Sequence, residues 1–174
     1  MSRRAAWPVL EVLAIMVMSC TGCVTEGRPQ HQIPPPPGAA ASDVFPTVID
    51  VSASRFGQDS DKNGYADVVN VSVFLFNLEK HPASLQAAGQ FVFELSGDDR
   101  KRIAQWTLTS AEVQACRRDL LPGPGYVFQL SIRDQTSDEI PRTDAQLSVM
   151  YVPAAGGQAL KSPNPIRISI GKIR

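Results

Sequence analysis

Hydrophobic and polar residues alternate with a period of two in several short stretches after residue 43, and this pattern predicts β-strands. The clearest stretch is 67–77, in which Val69, Val71 and Val73 share one face and Asn70 lies on the other. The other alternating stretches are 45–54, 90–95, 103–108, 126–133, 146–152 and 166–170. Each stretch is expected to turn its apolar face toward a common core, which gives about seven strands.

One helix is predicted between the fourth and fifth of these strands. Thr109 and Glu112 are the ends of a capping box, T-S-A-E, in which each side chain accepts a hydrogen bond from the other residue's backbone N–H. We expect the helix to continue to about Asp119, because a P-G-P-G stretch follows at 122–125. Since helices do not recur between the strands, a parallel βαβ architecture is not expected. The sequence predicts an all-β fold, a single antiparallel β-sandwich with one short helix; a β-barrel is the alternative.

The N-terminal residues have the parts of a bacterial export signal. Arg3 and Arg4 are basic, and residues 9–18 are apolar apart from one glutamate. The tetrapeptide V-M-S-C, which ends at Cys20, resembles the lipobox of bacterial lipoproteins, with an aliphatic residue at −3 and a small residue at −1. This resemblance implies a signal peptide over residues 1–19 and a membrane anchor of acyl chains such as palmitate on Cys20. Cys23 is the alternative site, and an ordinary cleaved signal with incidental cysteines is the other interpretation.

Residues 20–42 are interpreted as the lipidated cysteine and a proline-rich tether. Four consecutive prolines at 34–37 favour the extended polyproline II form, which spans about 3.1 Å per residue. Few residues of this segment could contribute to a core. We therefore predict that the tether holds a folded domain, residues 43–174, clear of the bilayer.

Charge and cysteine content narrow the class of protein. The chain has 17 basic and 17 acidic residues, and loss of Arg3, Arg4 and Glu11 with the signal leaves 15 and 16. A balance this close to neutral gives no indication of nucleic-acid binding. Two of the 3 cysteines lie at the signal junction, so a disulfide framework is not expected and Cys116 is predicted to be free.

Residues 59–67, D-S-D-K-N-G-Y-A-D, are the one constellation in the sequence with recognisable chemistry. Calcium takes six to eight oxygen ligands from a sharply turning backbone. Alternate positions one, three and five present the side chains of Asp59, Asp61 and Asn63, and a glycine that permits a tight turn follows. The Tyr65 carbonyl and the Asp67 carboxylate occupy positions seven and nine, so these five residues are predicted calcium ligands.

This loop resembles the D-x-[DN]-x-[DN]-G-x-x-D calcium loops of dockerins, thrombospondin type 3 repeats and integrin-type propeller blades. The resemblance covers nine residues and implies a preference for calcium rather than a fold or an activity. Asn70 stands at position twelve, where an EF-hand has a glutamate, and a strand follows instead of a helix. A plain turn is the alternative, because Asn-Gly alone is a strong turn signal. If an ion binds, its expected role is to fasten the loop between the first two strands.

Catalytic motifs are not recognisable in the sequence. The histidines are His31, in the tether, and His81, before a proline, and the chain lacks the nucleophile-elbow, zinc-helix and phosphate-loop patterns. Four aromatic residues that could suggest a carbohydrate platform fall on inward strand faces, which favours core packing: Trp106, Tyr126, Phe128 and Tyr151.

The sequence therefore predicts an exported, non-enzymatic interaction or structural module of the cell envelope. It is anchored to the membrane by the N-terminal lipid, with its domain in the periplasm or outside the cell and a protein or polysaccharide as partner. The alternative is a carbohydrate-binding accessory domain or an envelope hydrolase. As a whole, the domain resembles small, uncharacterised exported bacterial lipoproteins.

Overall fold

The computed structural model describes residues 44–121 and 123–173. The predicted signal peptide, both candidate lipidation sites, Cys20 and Cys23, and the tether lie outside these residues. Within the described part of the chain, no helix is both long enough and apolar enough to cross a membrane.

The described residues form 11 strands and one short helix. The strands are β1 (Val48–Ala53), β2 (Tyr65–Ala66), β3 (Val68–Asn77), β4 (His81–Leu85), β5 (Gly89–Gly97), β6 (Arg102–Leu108), β7 (Arg117–Asp119), β8 (Pro124–Ser131), β9 (Thr143–Pro153), β10 (Leu160–Lys161) and β11 (Ile166–Lys172). The helix, α1 (Ser110–Ala115), lies between β6 and β7.

The strands form two antiparallel sheets, which confirms the predicted all-β sandwich. The first sheet has the order β1-β3-β8-β7, and β4 pairs with the end of β3 beyond β8. The second sheet has the order β2-β11-β9-β5-β6, and β10 pairs with β9 beyond β11. Each of the predicted alternating stretches is found as a strand.

The core lies between the inner faces of the two sheets, where the alternation placed it. Val69, Val71 and Val73 of β3 are fully buried. Aromatic rings join the sheets: the Phe91 ring of β5 has its centroid 5.3 Å from that of Phe128 of β8. Aromatic side chains bury large apolar areas and add a directional ring–ring attraction, so this cluster is a major source of stability.

The helix is shorter than predicted. The capping box is present, with the Thr109 N–H donating to the Glu112 carboxylate at 2.7 Å. However, α1 ends at Ala115, and β7 pairs with the start of β8 instead of continuing the helix to Asp119. Val113 is the one residue of α1 that is buried, so a longer helix would gain little apolar burial. Pairing with β8 satisfies the backbone groups of this segment instead.

Four short strands, β2, β4, β7 and β10, were not predicted. They are two to five residues long and carry no run of alternating apolar positions. Their positions follow from pairing with longer neighbours, which local sequence does not encode.

Candidate functional site

The acidic loop is closed at its base by backbone pairing. Gln58 and Val68 form an isolated antiparallel bridge, and the Asp67 N–H donates to the Gln58 carbonyl at 2.8 Å. At the far side, the Ile173 N–H donates to the Gly64 carbonyl at 2.8 Å. The loop is therefore held to both sheets, through β3 and through the end of β11.

Asp59 shapes the turn of the loop. Its carboxylate accepts hydrogen bonds from the backbone N–H groups of Asn63, at 3.1 Å, and Gly64, at 2.9 Å. Gly64 has a φ of 89°, in the left-handed region that glycine adopts without strain. The tight turn predicted from the Asn-Gly pair is thus present, and Asp59 stabilises it.

Three carboxylates converge beside this turn. One oxygen each of Asp61, Asp67 and Asp138 lies within 4.8 Å of the other two. Asp67 and Asp138 are buried, with 1% and 7% of their surface exposed, whereas Asp61 is exposed. Buried carboxylates so close together repel one another, and hydrogen bonds or a cation must offset that repulsion.

Hydrogen bonds to Ser60 hold Asp67. The Ser60 N–H donates to Oδ1 at 2.8 Å, and the Ser60 hydroxyl donates to Oδ2 at 2.7 Å. Burial raises the pKa of Asp67, but these two hydrogen bonds, its own backbone N–H and the positive charge of Arg133 together hold the pKa below its ordinary value. The Asp67 side chain is therefore a carboxylate at neutral pH.

Two nitrogen groups face the other carboxylates. The Asn63 amide Nδ2 donates to Asp138 Oδ2 at 2.9 Å and to Asp61 Oδ2 at 3.3 Å. The Arg133 guanidinium pairs with Asp61 Oδ2 at 2.5 Å. Because the amide is neutral, Arg133 supplies one positive charge against three carboxylates, and the cluster retains an excess of negative charge.

The five predicted calcium ligands therefore do not all meet at one point. Asp61 and Asp67 belong to the carboxylate cluster, and the Asn63 side chain bridges it. Asp59 lies outside that group of three and bonds to the loop backbone instead. Tyr65 begins β2, where it pairs with Lys172 of β11.

Asp138 was missed by the sequence analysis. It lies in the connection between β8 and β9 and meets Asn63 although the two are 75 residues apart in sequence. Two hydrogen bonds position this connection: the Ile132 N–H donates to the Asp67 carbonyl, and the Lys172 N–H donates to the Ile140 carbonyl. No local signal marks Asp138, because its role depends on how the sheets pack.

Other side chains that could suggest sugar binding or catalysis have structural roles in the fold. As predicted, the four aromatic residues are buried, each with no more than 7% of its surface exposed: Trp106, Tyr126, Phe128 and Tyr151. They therefore form no exposed platform for a sugar ring. Glu112 accepts the capping hydrogen bonds of α1.

The fold and this cluster define the class of protein as an antiparallel β-sandwich with three convergent carboxylates, two from its acidic loop and one from the β8–β9 connection. Comparisons with protein-family models, with curated proteins and with solved structures find no match to this chain. The function is therefore inferred from the geometry and chemistry of the chain's own residues.

Proposed function

We propose that this chain is an envelope-anchored, non-enzymatic β-sandwich module whose acidic loop binds a calcium ion. One observation carries the proposal: Asp61 and Asp67 of the loop meet Asp138 of a distant connection. An ion bound by these three carboxylates fastens the loop to the β8–β9 connection. Its role is to stabilise a surface used for interaction.

The chemistry of the donors supports calcium. Calcium is a hard cation that prefers carboxylate, carbonyl and amide oxygens, and the cluster with its surrounding loop offers such groups. Two of the carboxylates are buried, so a divalent ion offsets an electrostatic cost that one arginine offsets only in part.

The sequence supports the anchor and the location. The V-M-S-C tetrapeptide and the proline-rich segment precede a domain whose described part begins at Val44. A lipid on Cys20, or on Cys23, would attach this domain to a membrane of the cell envelope. Calcium sites of extracellular modules bind with Kd values of about 10⁻⁴–10⁻³ M, and we expect the same range for this loop.

Thermal unfolding of the non-lipidated mature chain, residues 20–174, tests the calcium site. Calcium at about 5 mM, well above that expected Kd, should raise the unfolding midpoint relative to chelator, and magnesium should raise it less because it demands a smaller, more regular site. Asp61→Asn should abolish the rise. Asp98→Asn, which removes an exposed aspartate from the β5–β6 turn, is the matched control and should keep it. If calcium does not change the unfolding midpoint, the loop is an ordinary turn.

A further inference from the structure

A hollow with basic and apolar parts lies where the chain crosses from the first sheet to the second. After β1, the Ser54 N–H still donates to Asn70 of the first sheet. The Gly57 N–H then donates to the Ser169 carbonyl of β11, in the second sheet, at 2.9 Å. Two adjoining cavities of about 300 Å³ and about 210 Å³ flank this crossing and share Phe56, Arg142 and Ser169 in their walls.

The larger cavity is the apolar part of the hollow. Phe56 and Ile173 line it with 60% and 48% of their surface exposed, and the buried Ala66 and Ile170 close its inner side. Exposed apolar side chains grouped at a concave site indicate a contact surface. The size suits one or two aliphatic or aromatic side chains.

The smaller cavity is the basic part. Arg55, Arg142 and Arg167 line it around a single carboxylate, Asp144, and all four side chains are exposed. Among residues 44–121 and 123–173, none of these arginines lies within 4.0 Å of a carboxylate oxygen. Among the described lining residues, which end at Ile173, Lys172 brings the basic side chains to four against one carboxylate. A chain with 17 basic and 17 acidic residues thus concentrates positive charge at this site.

The path of the chain places this hollow away from the point where the tether joins. Val44 to Thr47 lead into β1 beside the end of β3, where the Thr47 N–H donates to the Phe76 carbonyl. Arg55 follows the other end of β1, whose six residues span about 20 Å. A partner bound in the hollow is therefore met at the end of β1 opposite Val44, the first described residue.

We infer that the hollow binds an acidic peptide segment of a partner protein. An apolar side chain of the segment lies between Phe56 and Ile173, and its carboxylates pair with the guanidinium groups of Arg142 and Arg167, whose planar forks match a carboxylate. An acidic polysaccharide supplies the carboxylates but lacks an aliphatic side chain for the apolar part. The inference rests on the proposed role as an interaction module and does not depend on calcium.

The test uses synthetic octapeptides, acetylated and fluorescently labelled, in which two apolar residues (Leu or Phe) are flanked by Asp and Glu in every order. Fluorescence anisotropy should show that the mature chain binds members of this set. Binding should weaken as the salt concentration rises, because the pairing is electrostatic. Replacing the acidic residues of a bound peptide with Gln and Asn should abolish binding. The inference is wrong if no octapeptide binds with a Kd below about 1 mM, which corresponds to a binding free energy of about −4 kcal/mol.

Variants locate the binding. Arg142→Gln and Arg167→Gln should each weaken binding about tenfold, the loss expected from one charge-assisted pair. Phe56→Ser should also weaken it, and the exposure of Phe56 makes this change tolerable to the fold. Arg118→Gln is the matched control, because Arg118 is an exposed arginine on β7 in the other sheet. Equal binding by all four variants would place the peptide elsewhere and overturn the inference.

Two further probes and one parallel measurement separate the outcomes. The two probes are polygalacturonate and phosphatidylglycerol vesicles. If either binds through Arg142 and Arg167 while the peptides do not bind, the occupant is a polysaccharide or a membrane and the inference fails. The calcium-dependent unfolding midpoint is read on the same samples. If calcium raises the unfolding midpoint but no peptide binds, this inference alone is contradicted. If a peptide binds but calcium leaves the midpoint unchanged, the calcium site alone is contradicted.

Discussion

The Arg133 guanidinium lies 2.5 Å from Asp61 Oδ2, at the exposed side of a cluster whose other two carboxylates are buried. Both partners are partly open to solvent, with 55% and 32% of their side-chain surface exposed. An ion pair of this kind contributes roughly 0–1 kcal/mol to the free energy of unfolding. Arg133 is thus a weakly held charge that a divalent ion can displace.

Arg133→Gln should strengthen the response to calcium. The change removes the cation that competes for Asp61, so the calcium-induced rise in the unfolding midpoint should be larger than in the wild type at the same calcium concentration. In chelator, the free energy of unfolding should fall by no more than about 1 kcal/mol. Thermal unfolding with and without calcium measures both effects. Arg118→Gln should leave the response unchanged, and a smaller response in Arg133→Gln would contradict the proposed site.

Asp138→Asn should separate repulsion within the cluster from metal binding. In chelator, the midpoint should stay equal or rise, because one of three neighbouring negative charges is removed while Asn63 keeps a carbonyl oxygen to bond. In calcium, the stabilisation should be lost, which amounts to about 1.4 kcal/mol when the wild type is at ten times its Kd. Glu139→Gln, at the exposed neighbouring residue, is the control and should behave as the wild type. A full calcium response in Asp138→Asn would exclude Asp138 as a ligand.

The sequence predicted the sandwich well because its long strands carry their own pattern. Val69, Val71 and Val73 alternate with polar residues, so burial of one face determines both the strand and its orientation. The end of α1 was mispredicted because Arg117 and the two residues after it pair with β8 although they carry no alternating apolar pattern that would indicate a strand. Asp138 was missed because its contact with Asn63 is long-range: spacing predicts ligands within one loop, whereas a contribution from a second connection depends on tertiary packing.

Ser60→Ala should reduce the loss of stability in acid. The pKa of Asp67 is lower in the folded chain than its ordinary value, so its contribution to stability is present above the ordinary pKa, about 3.9, and is lost as the pH falls through the folded value. Removing the Ser60 hydroxyl, which donates at 2.7 Å, should lower the free energy of unfolding at pH 7 by about 1–2 kcal/mol and by less at pH 2.

Urea unfolding in chelator between pH 7 and 2 measures this dependence on pH. Ser52→Ala, an exposed serine of β1, is the matched control and should follow the wild-type profile. If Ser60→Ala loses the same free energy of unfolding at both ends of the range, the hydroxyl does not act through the ionised form of Asp67.

Tyr126 and Tyr151, from opposite sheets, both fasten the segment that joins β4 to β5. The Tyr126 hydroxyl donates to the Ala87 carbonyl at 2.9 Å, and the Tyr151 hydroxyl donates to the Ala88 carbonyl at 2.8 Å. Burial, together with the neighbouring Tyr126, raises the pKa of Tyr151 to about 12 against the lowering effect of Arg117. Stability that depends on the protonated phenol is therefore complete below the ordinary pKa of about 10 and is lost as the pH rises through about 12.

Tyr151→Phe should reduce that alkaline loss. At pH 8 the variant should be less stable by about 0.5–1.5 kcal/mol, the net value of one hydrogen bond, because the Ala88 carbonyl keeps its bond from the Ala154 N–H at 2.9 Å. Between pH 8 and 11.5 its free energy of unfolding in urea should fall less steeply than that of the wild type, since one buried phenol no longer favours unfolding by ionising. Tyr65→Phe, in β2, retains both core tyrosines and should keep the wild-type slope. Parallel slopes for Tyr151→Phe and the wild type would mean that ionisation elsewhere controls alkaline unfolding.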